Sequence, residues 1–323
     1  MRVLVLVSPG QGSQAPGFLT PWLDLPGAAD RLGAWSEAAG IDLIHYGTQA
    51  GEEEIRDTAV AQPLLVAGAL LSAAALAGDD LTGRDAAASA RAAGAVAGHS
   101  VGELAAAALA GVFSETDAVT LVRRRGLAMA EAASAAETGM SAVLGGDPGE
   151  VASVLEKHGL TAANNNGGGQ VVAAGTAEQL AALAAEPPEK ARVVPLKVAG
   201  AFHTAHMAPA VAAMSEAAAR VTPADAAVPF VSNADGQAVT SGEEIMRRLV
   251  DQVAGPVRWD LCMETFGSMG ATALIELCPG GTLTALARRA LPGVKRVALK
   301  TPDNLAAARE LIAEHAAGPT TAP

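Results

Sequence analysis

The sequence predicts an α/β protein: a large, mainly parallel sheet flanked by helices, with a smaller ferredoxin-like domain inserted into it. Three observations carry that expectation. Short apolar runs alternate with helical stretches in the first and last thirds of the chain, the pattern of parallel strands joined by crossover helices. The run Ala95-Val96-Ala97-Gly98-His99-Ser100-Val101-Gly102-Glu103 ends in G-x-S-x-G and leads straight into an alanine-rich helical segment, which reads as strand, tight turn and helix. From Met140 the rhythm becomes β-α-β-β-α-β, the ferredoxin-like order. The expected division is 1–135 and 201–317 for the two parts of the large domain, 136–200 for the insert, and 318–323 for a flexible tail.

Taken in order, Val3-Leu4-Val5-Leu6-Val7 is a first core strand; its apolar run is too short for a signal peptide and no small-residue cleavage site follows. It delivers the loop Pro9-Gly10-Gln11-Gly12-Ser13-Gln14 to the strand's carboxyl end, where open α/β sheets place ligands. The loop has neither the lysine of a phosphate-binding loop nor G-x-G-x-x-G spacing, so it reads as a pocket wall that could lend a backbone N–H, or as an ordinary turn. Residues 58–78 carry no charge, but Gln62-Pro63, Gly68 and Ser72 interrupt them, and the strongly apolar part is shorter than the roughly 20 residues a bilayer needs. A buried helix starting near Pro63 is the expectation.

In the elbow, glycines on both sides of Ser100 allow a sharp turn that lifts the hydroxyl out of the sheet, while the next helix offers free N–H groups to an oxyanion. The bland alternative is a glycine-rich turn with a capping serine. Ser114-Glu115-Thr116-Asp117 caps a further helix bearing Arg123-Arg124-Arg125. Successive helical side chains are rotated by about 100°, so at most one or two of these arginines point inward. A surface cluster is one reading; an inward arginine beside a serine pocket, a ready carboxylate clamp, is the other.

In the insert, Ser141-Ala142-Val143-Leu144 is a strand, 148–157 a helix, 160–164 and 170–174 strands, 177–185 a helix and 192–196 a strand, with a hairpin or flexible tip at Asn164-Asn165-Asn166-Gly167-Gly168-Gly169. The chain returns through Phe202-His203, where a general base is plausible. His203 and His206 lack a third ligand at recognisable spacing, so no metal is expected. Helices over 207–220, 243–253 and 259–269, strands over 228–232 and 273–277, and a helix after Pro279-Gly280-Gly281 complete the large domain.

Composition narrows the function classes. The 323 residues are 50% hydrophobic, much of it alanine, as suits alanine-packed helices in a soluble protein. The net charge of −12, without basic runs, argues against nucleic acid as a partner, and no membrane partner is expected. Two cysteines, not in a C-x-x-C pair, fit a reducing cytoplasm and exclude a disulfide framework.

Several motifs then agree in order and spacing: Pro9-Gly10-Gln11-Gly12-Ser13-Gln14, Gln62-Pro63, Gly98-His99-Ser100-Val101-Gly102-Glu103, Arg125-Gly126, Asn164 before Gln170-Val171-Val172, Phe202-His203 and Pro256-Val257-Arg258-Trp259. Together, over nearly the whole chain, they resemble the malonyl-CoA:acyl-carrier-protein transacylases of fatty acid and polyketide synthesis. The resemblance implies an α/β-hydrolase-like large domain with a ferredoxin-like insert. It implies Ser100 as nucleophile, His203 as its base, Arg125 as clamp on the malonyl carboxylate, and the N–H groups of Gln11 and Val101 as oxyanion hole. It further implies that the Gln252 carbonyl orients the histidine, that Asn164 and Gln62 line the substrate cleft, and that Phe202 marks a malonyl-selecting site. The implied substrate is a coenzyme A thioester, malonyl-CoA, with no bound cofactor and no metal, and the implied partner is a holo acyl carrier protein. Leu277-Cys278-Pro279-Gly280 departs from the pattern, since relatives commonly carry glycine in place of Cys278.

Rival readings are a serine hydrolase or thioesterase on the same fold, a non-catalytic carrier-docking module, and the same transfer serving a polyketide assembly line. Arg288-Arg289 and Lys295-Arg296 are candidate contacts for an acidic carrier, with a solvated surface as the alternative.

Overall fold

Two sheets organise the chain, and the active-site candidates lie where they meet. The computed structural model describes residues 2–198 and 200–315; the expected tail, 318–323, lies outside the described residues. The larger sheet has the strand order Lys295–Ala298, Ala271–Glu276, Val3–Ser8, Ala95–Gly98, Phe230–Val231 and Ala238–Val239. All neighbours pair parallel except the last two, which pair antiparallel. Val3–Ser8 is central and buried along Leu4 to Ser8, which accounts for its unbroken apolar run: a strand covered on both faces has no polar side to show.

The uncharged stretch forms one helix, Thr58–Ala77. By length and composition it could cross a membrane, yet 94% of its apolar window is buried inside the protein. It starts a turn earlier than Pro63, because the Asp57 side chain accepts from the Ala59 N–H at 2.7 Å and caps it there. Pro63 therefore sits inside the helix and lacks the N–H that would meet the Ala59 carbonyl. Arg123 Nη1 donates to that carbonyl instead, at 2.6 Å.

The smaller sheet has the order Ala191–Pro195, Thr138–Gly145, Gln170–Thr176, Thr161–Gly167 and Val257–Arg258. Its first four strands pair antiparallel, with helices Pro148–Lys157 and Ala177–Ala185 packed against them. Val257–Arg258, from far outside the insert, joins its edge parallel to Thr161–Gly167. The hairpin is tighter than expected: strand pairing runs to Gly167, and the loop is only Gly168 and Gly169, at φ 57° and 75°. A two-residue loop with both φ positive matches the twist of its strands. Of the two expected alternatives the hairpin occurs, and the strand expected to end at Asn164 runs on through Asn165 and Asn166. The remaining expected helices and strands occur within a few residues of their expected positions. Among them, the strand at 228–232 shortens to Phe230–Val231 and the helix at 207–220 to Ala208–Ala218 after a short turn.

Candidate active site

The elbow is forced by close approach. A Cβ on Gly98 would lie 2.0 Å from the Gly102 carbonyl carbon, and one on Gly102 would lie 2.3 Å from the Ser8 oxygen. Ser100 between them sits at φ 53°, in the left-handed region that side chains rarely adopt. Asn233 secures this strained turn from both sides. Its Oδ1 accepts from Ser100 N–H at 2.8 Å, and its Nδ2 donates to Gly98 O at 2.7 Å.

His203, also left-handed at φ 61°, meets the serine of the elbow with Nε2 at 2.7 Å from Ser100 Oγ. On its other side Nδ1 faces two carbonyls, Gln252 O at 2.9 Å and Gly255 O at 3.1 Å. Two acceptors require the proton on Nδ1, which leaves Nε2 free to accept from the serine hydroxyl. Gln252 caps the end of helix Gly242–Asp251, so its carbonyl has no donor within the helix. That negative end of the helix favours the positive charge an imidazole acquires on taking a proton. Burial, and then the Arg125 charge, depress the His203 pKa to about 3 in spite of the carbonyls.

Of the three arginines only Arg125 is buried, at 2% exposure; Arg123 serves the Pro63 gap and Arg124 is exposed. Helix Glu115–Ser134, which carries them, is capped as expected by Ser114 and Asp117. Arg125 Nη1 donates to Gln62 Oε1 at 2.7 Å, and Nη2 to Gln252 Oε1 at 2.9 Å and to Ser100 Oγ at 3.4 Å. Its hydrogen-bond partners among the described residues are thus neutral, and burial lowers its pKa to about 10 against the opposing pull of Glu103.

A cavity of about 80 Å³ opens in front of the elbow serine, lined by Ser100, His203, Gln11, Val101, Gln62, Asn164 and Phe202 together with apolar residues including Met129 and Met140. Among the described hydrogen bonds, the N–H groups of Gln11 and Val101 have no acceptor, and Asn164 Oδ1 is buried without a partner. All nine residues singled out from the sequence thus converge: seven line the cavity, with Arg125 and Gln252 buried behind the serine. His206 is exposed and lies outside that lining. The cavity adjoins two wider depressions at its mouth, one bearing Arg56 and Lys197, the other Arg289. Lys295 is paired with Glu314 at 2.5 Å and Arg296 donates to Val294 O at 2.8 Å, so Arg289 alone of those two basic pairs faces the mouth. Cys278 is wholly buried, with its N–H held by Ser72 Oγ at 3.0 Å.

Four residues of the site escaped the reading of the sequence. Asn233 is one, and His99 and Asn166 are joined at 2.8 Å across the cleft, with the His99 ring edge-on to Trp259 and its pKa lowered by burial. Glu103 is the fourth: it accepts from Asn233 N–H at 2.6 Å and contacts Gln252 Nε2, and burial raises its pKa to about 8. The signal for Glu103 was present: a helix of alanine and leucine all round is a buried helix, so its one carboxylate must be buried and partnered.

A family model described as the acyl transferase domain matches residues 5–304. The malonyl CoA-acyl carrier protein transacylase of Mycobacterium bovis is 52% identical over 304 residues, covering 94% of this chain and 98% of its own. That of Escherichia coli K12 is 34% identical over 318 residues, covering 96% and 100%. The crystal structure of MCAT from Mycobacterium tuberculosis superposes with a TM-score of 0.88 at 51% identity, covering 94% of this chain and 98% of that one. A malonyl-transacylase solved in complex with a type II PKS acyl-carrier protein gives 0.86 at 30% identity, covering 96% and 99%. By family model and by near-complete likeness to these relatives, the chain belongs to the acyl transferase family, among the malonyl CoA-acyl carrier protein transacylases.

Proposed function

We propose that the chain moves the malonyl group from malonyl-CoA to the phosphopantetheine thiol of an acyl carrier protein through a malonyl ester on Ser100, supplying extender units for fatty acid synthesis. The observation that carries this reading is Arg125: a buried guanidinium whose hydrogen-bond partners among the described residues are neutral, with Nη2 3.4 Å from the hydroxyl of a serine already paired to histidine. Such a cation favours an anion opposite it, and malonyl-CoA supplies one at the far end of the acyl group.

The cycle follows from the geometry. Arg125 forks the free carboxylate and so aligns the thioester carbonyl with Ser100 Oγ. His203 Nε2 takes the serine proton as Oγ attacks, and the N–H groups of Gln11 and Val101 receive the oxyanion. The C–S bond breaks, and coenzyme A leaves with the proton returned from His203. The pantetheine thiol then gives its proton to His203 and attacks the ester carbonyl; the C–O bond to Ser100 breaks and its oxygen takes the proton back from His203, restoring the starting pair. A thiolate leaves more readily than an amine, which explains a carbonyl partner on Nδ1 where amide-cleaving triads use a carboxylate. Once the substrate carboxylate offsets the Arg125 charge, one of the two largest causes holding down the His203 pKa is relieved, so the base strengthens as the substrate seats.

Asn164, Gln62 and Phe202 shape the acyl site in this reading, Phe202 excluding larger acyl groups. The large sheet is α/β-hydrolase-like over 1–135 and 201–317, and the insert over 136–200 is ferredoxin-like, with Val257–Arg258 added to its edge. No bound cofactor is required, and a cytoplasmic location accords with two free, buried cysteines. A polyketide assembly line is the second reading, supported by the likeness to a transacylase solved with a type II PKS carrier. Kinetics with malonyl-CoA and each type of holo carrier test the assignment: rapid transfer to a fatty acid carrier supports it, and release of free malonate in preference to transfer would favour a hydrolase.

A further inference from the structure

Glu103 takes no part in the cycle and does not line the cavity, yet it is a wholly buried acid one residue away from the substrate clamp. The link is the Gln252 side chain. Its Oε1 accepts from Arg125 Nη2 at 2.9 Å, while Nε2 donates to Ser100 O at 3.1 Å and to Glu103 Oε2. A primary amide has one accepting end and one donating end, and a guanidinium only donates. Arg125 therefore needs the accepting end, and the other end must be met by acceptors, which the Ser100 carbonyl and Glu103 provide. Asn233 N–H holds the second carboxyl oxygen at 2.6 Å, so the acid cannot swing away. Among the described residues Glu103 has no contact ion pair, Arg125 and Arg248 acting on it only at a distance, and an acid buried in that way is costly.

We propose that Glu103 is a positioning residue for recognition of the substrate's free carboxylate: through the Gln252 amide it keeps an acceptor on Arg125 and holds the guanidinium in register with Ser100 Oγ. Replacing Glu103 by glutamine puts a second amide where an acceptor stood, which favours a turned-over Gln252 whose NH2 group faces the guanidinium. This inference rests on the reading of Arg125 as the malonyl clamp.

Two readouts separate it from a structural role: kcat and KM for malonyl-CoA, and the rate at which a neutral fluorophosphonate labels Ser100, which reads the serine and histidine without the clamp. Glu103→Gln is expected to lose about 10- to 100-fold in kcat/KM for malonyl-CoA, mostly through KM, and that loss exceeds its loss of labelling by at least about tenfold. In a Gln252→Met background, adding Glu103→Gln costs no more than about threefold further, because the link is already gone. Equal losses on the two readouts, or losses that multiply in the double variant, overturn the proposal. If Glu103→Gln does not fold, Glu103→Asp decides: the shortened side chain draws the carboxylate back from the Gln252 amide, its malonyl loss must exceed its labelling loss by the same margin, and equality refutes the link. The unsubstituted chain assayed alongside reads the functional assignment separately.

Discussion

Two buried glutamates near the carboxyl ends of the strands that flank Val3–Ser8 on either side are held in opposite ways. Glu276, at the end of Ala271–Glu276, accepts from three backbone N–H groups, Gly281 and Thr284 at 2.8 Å and Leu283 at 2.9 Å, and so anchors the start of helix Thr282–Ala290. Glu103, just past the end of Ala95–Gly98, accepts from one backbone N–H and one side-chain amide, and that amide touches Arg125. Backbone donors cannot move without unfolding a turn, whereas a side-chain amide can turn over. The first arrangement therefore fixes architecture, and the second fixes a side chain, Arg125, that reaches the Ser100 hydroxyl. The same division separates Arg123, spent on the carbonyl that Pro63 leaves unpaired, from Arg125, left with neutral partners two residues later.

The sharpest way to break this comparison is to remove the clamp. Arg125→Ala is expected to cut malonyl-CoA turnover by about 100-fold or more while the slow transfer of an uncharged acyl group falls far less, as side-by-side kinetics would show; equal losses would put Arg125 with the architectural residues. On the architectural side, Glu276→Ala strands three backbone donors and should cost about 3 kcal/mol in chemical denaturation, with activity per folded molecule within about threefold of the original. A loss of activity without a loss of stability would reverse the assignment of the two acids.

A smaller effect is expected with pH. The His203 pKa is depressed to about 3 by burial and the Arg125 charge, while the unfolded chain titrates near 6.5. Between those values the unfolded state binds the extra proton, so His203 lowers stability as pH falls through that window and costs nothing above it. His203→Gln should thus gain in melting temperature relative to the original chain as pH drops from 6.5 toward 4; a constant difference would mean the imidazole is not buried neutral. Smallest of all, Arg123→Ala should cost about 1 kcal/mol by leaving the Ala59 carbonyl unmet, with malonyl transfer preserved.

How much of this could be read from the sequence depended on the range of the interactions involved. The elbow was legible because strand, turn and helix are consecutive and the glycine pair allows few other conformations. One of the three arginines had to point differently from its neighbours by helical rotation alone, and Arg125 does. The starting point of Thr58–Ala77 was misread because proline is common in a first turn, and the compensation by Arg123 comes from another helix. The hairpin was one of two readings of the asparagine and glycine run, with the strand ending at Asn164; asparagine and glycine both favour turns, and only pairing with Gln170–Thr176 and Val257–Arg258 carries that strand on through Asn165 and Asn166. Asn233 and Gln252 meet Glu103 from positions more than a hundred residues away, and no local pattern announces such a contact.

The most direct test of the account is the mass of the intact protein after exposure to malonyl-CoA, followed by peptide mapping and addition of holo carrier protein. The account requires one malonyl adduct on the peptide containing Ser100, lost in Ser100→Ala, and transferred to the carrier thiol when the carrier is added. An adduct on another residue, or free malonate released with no acylated protein at any time, would contradict it.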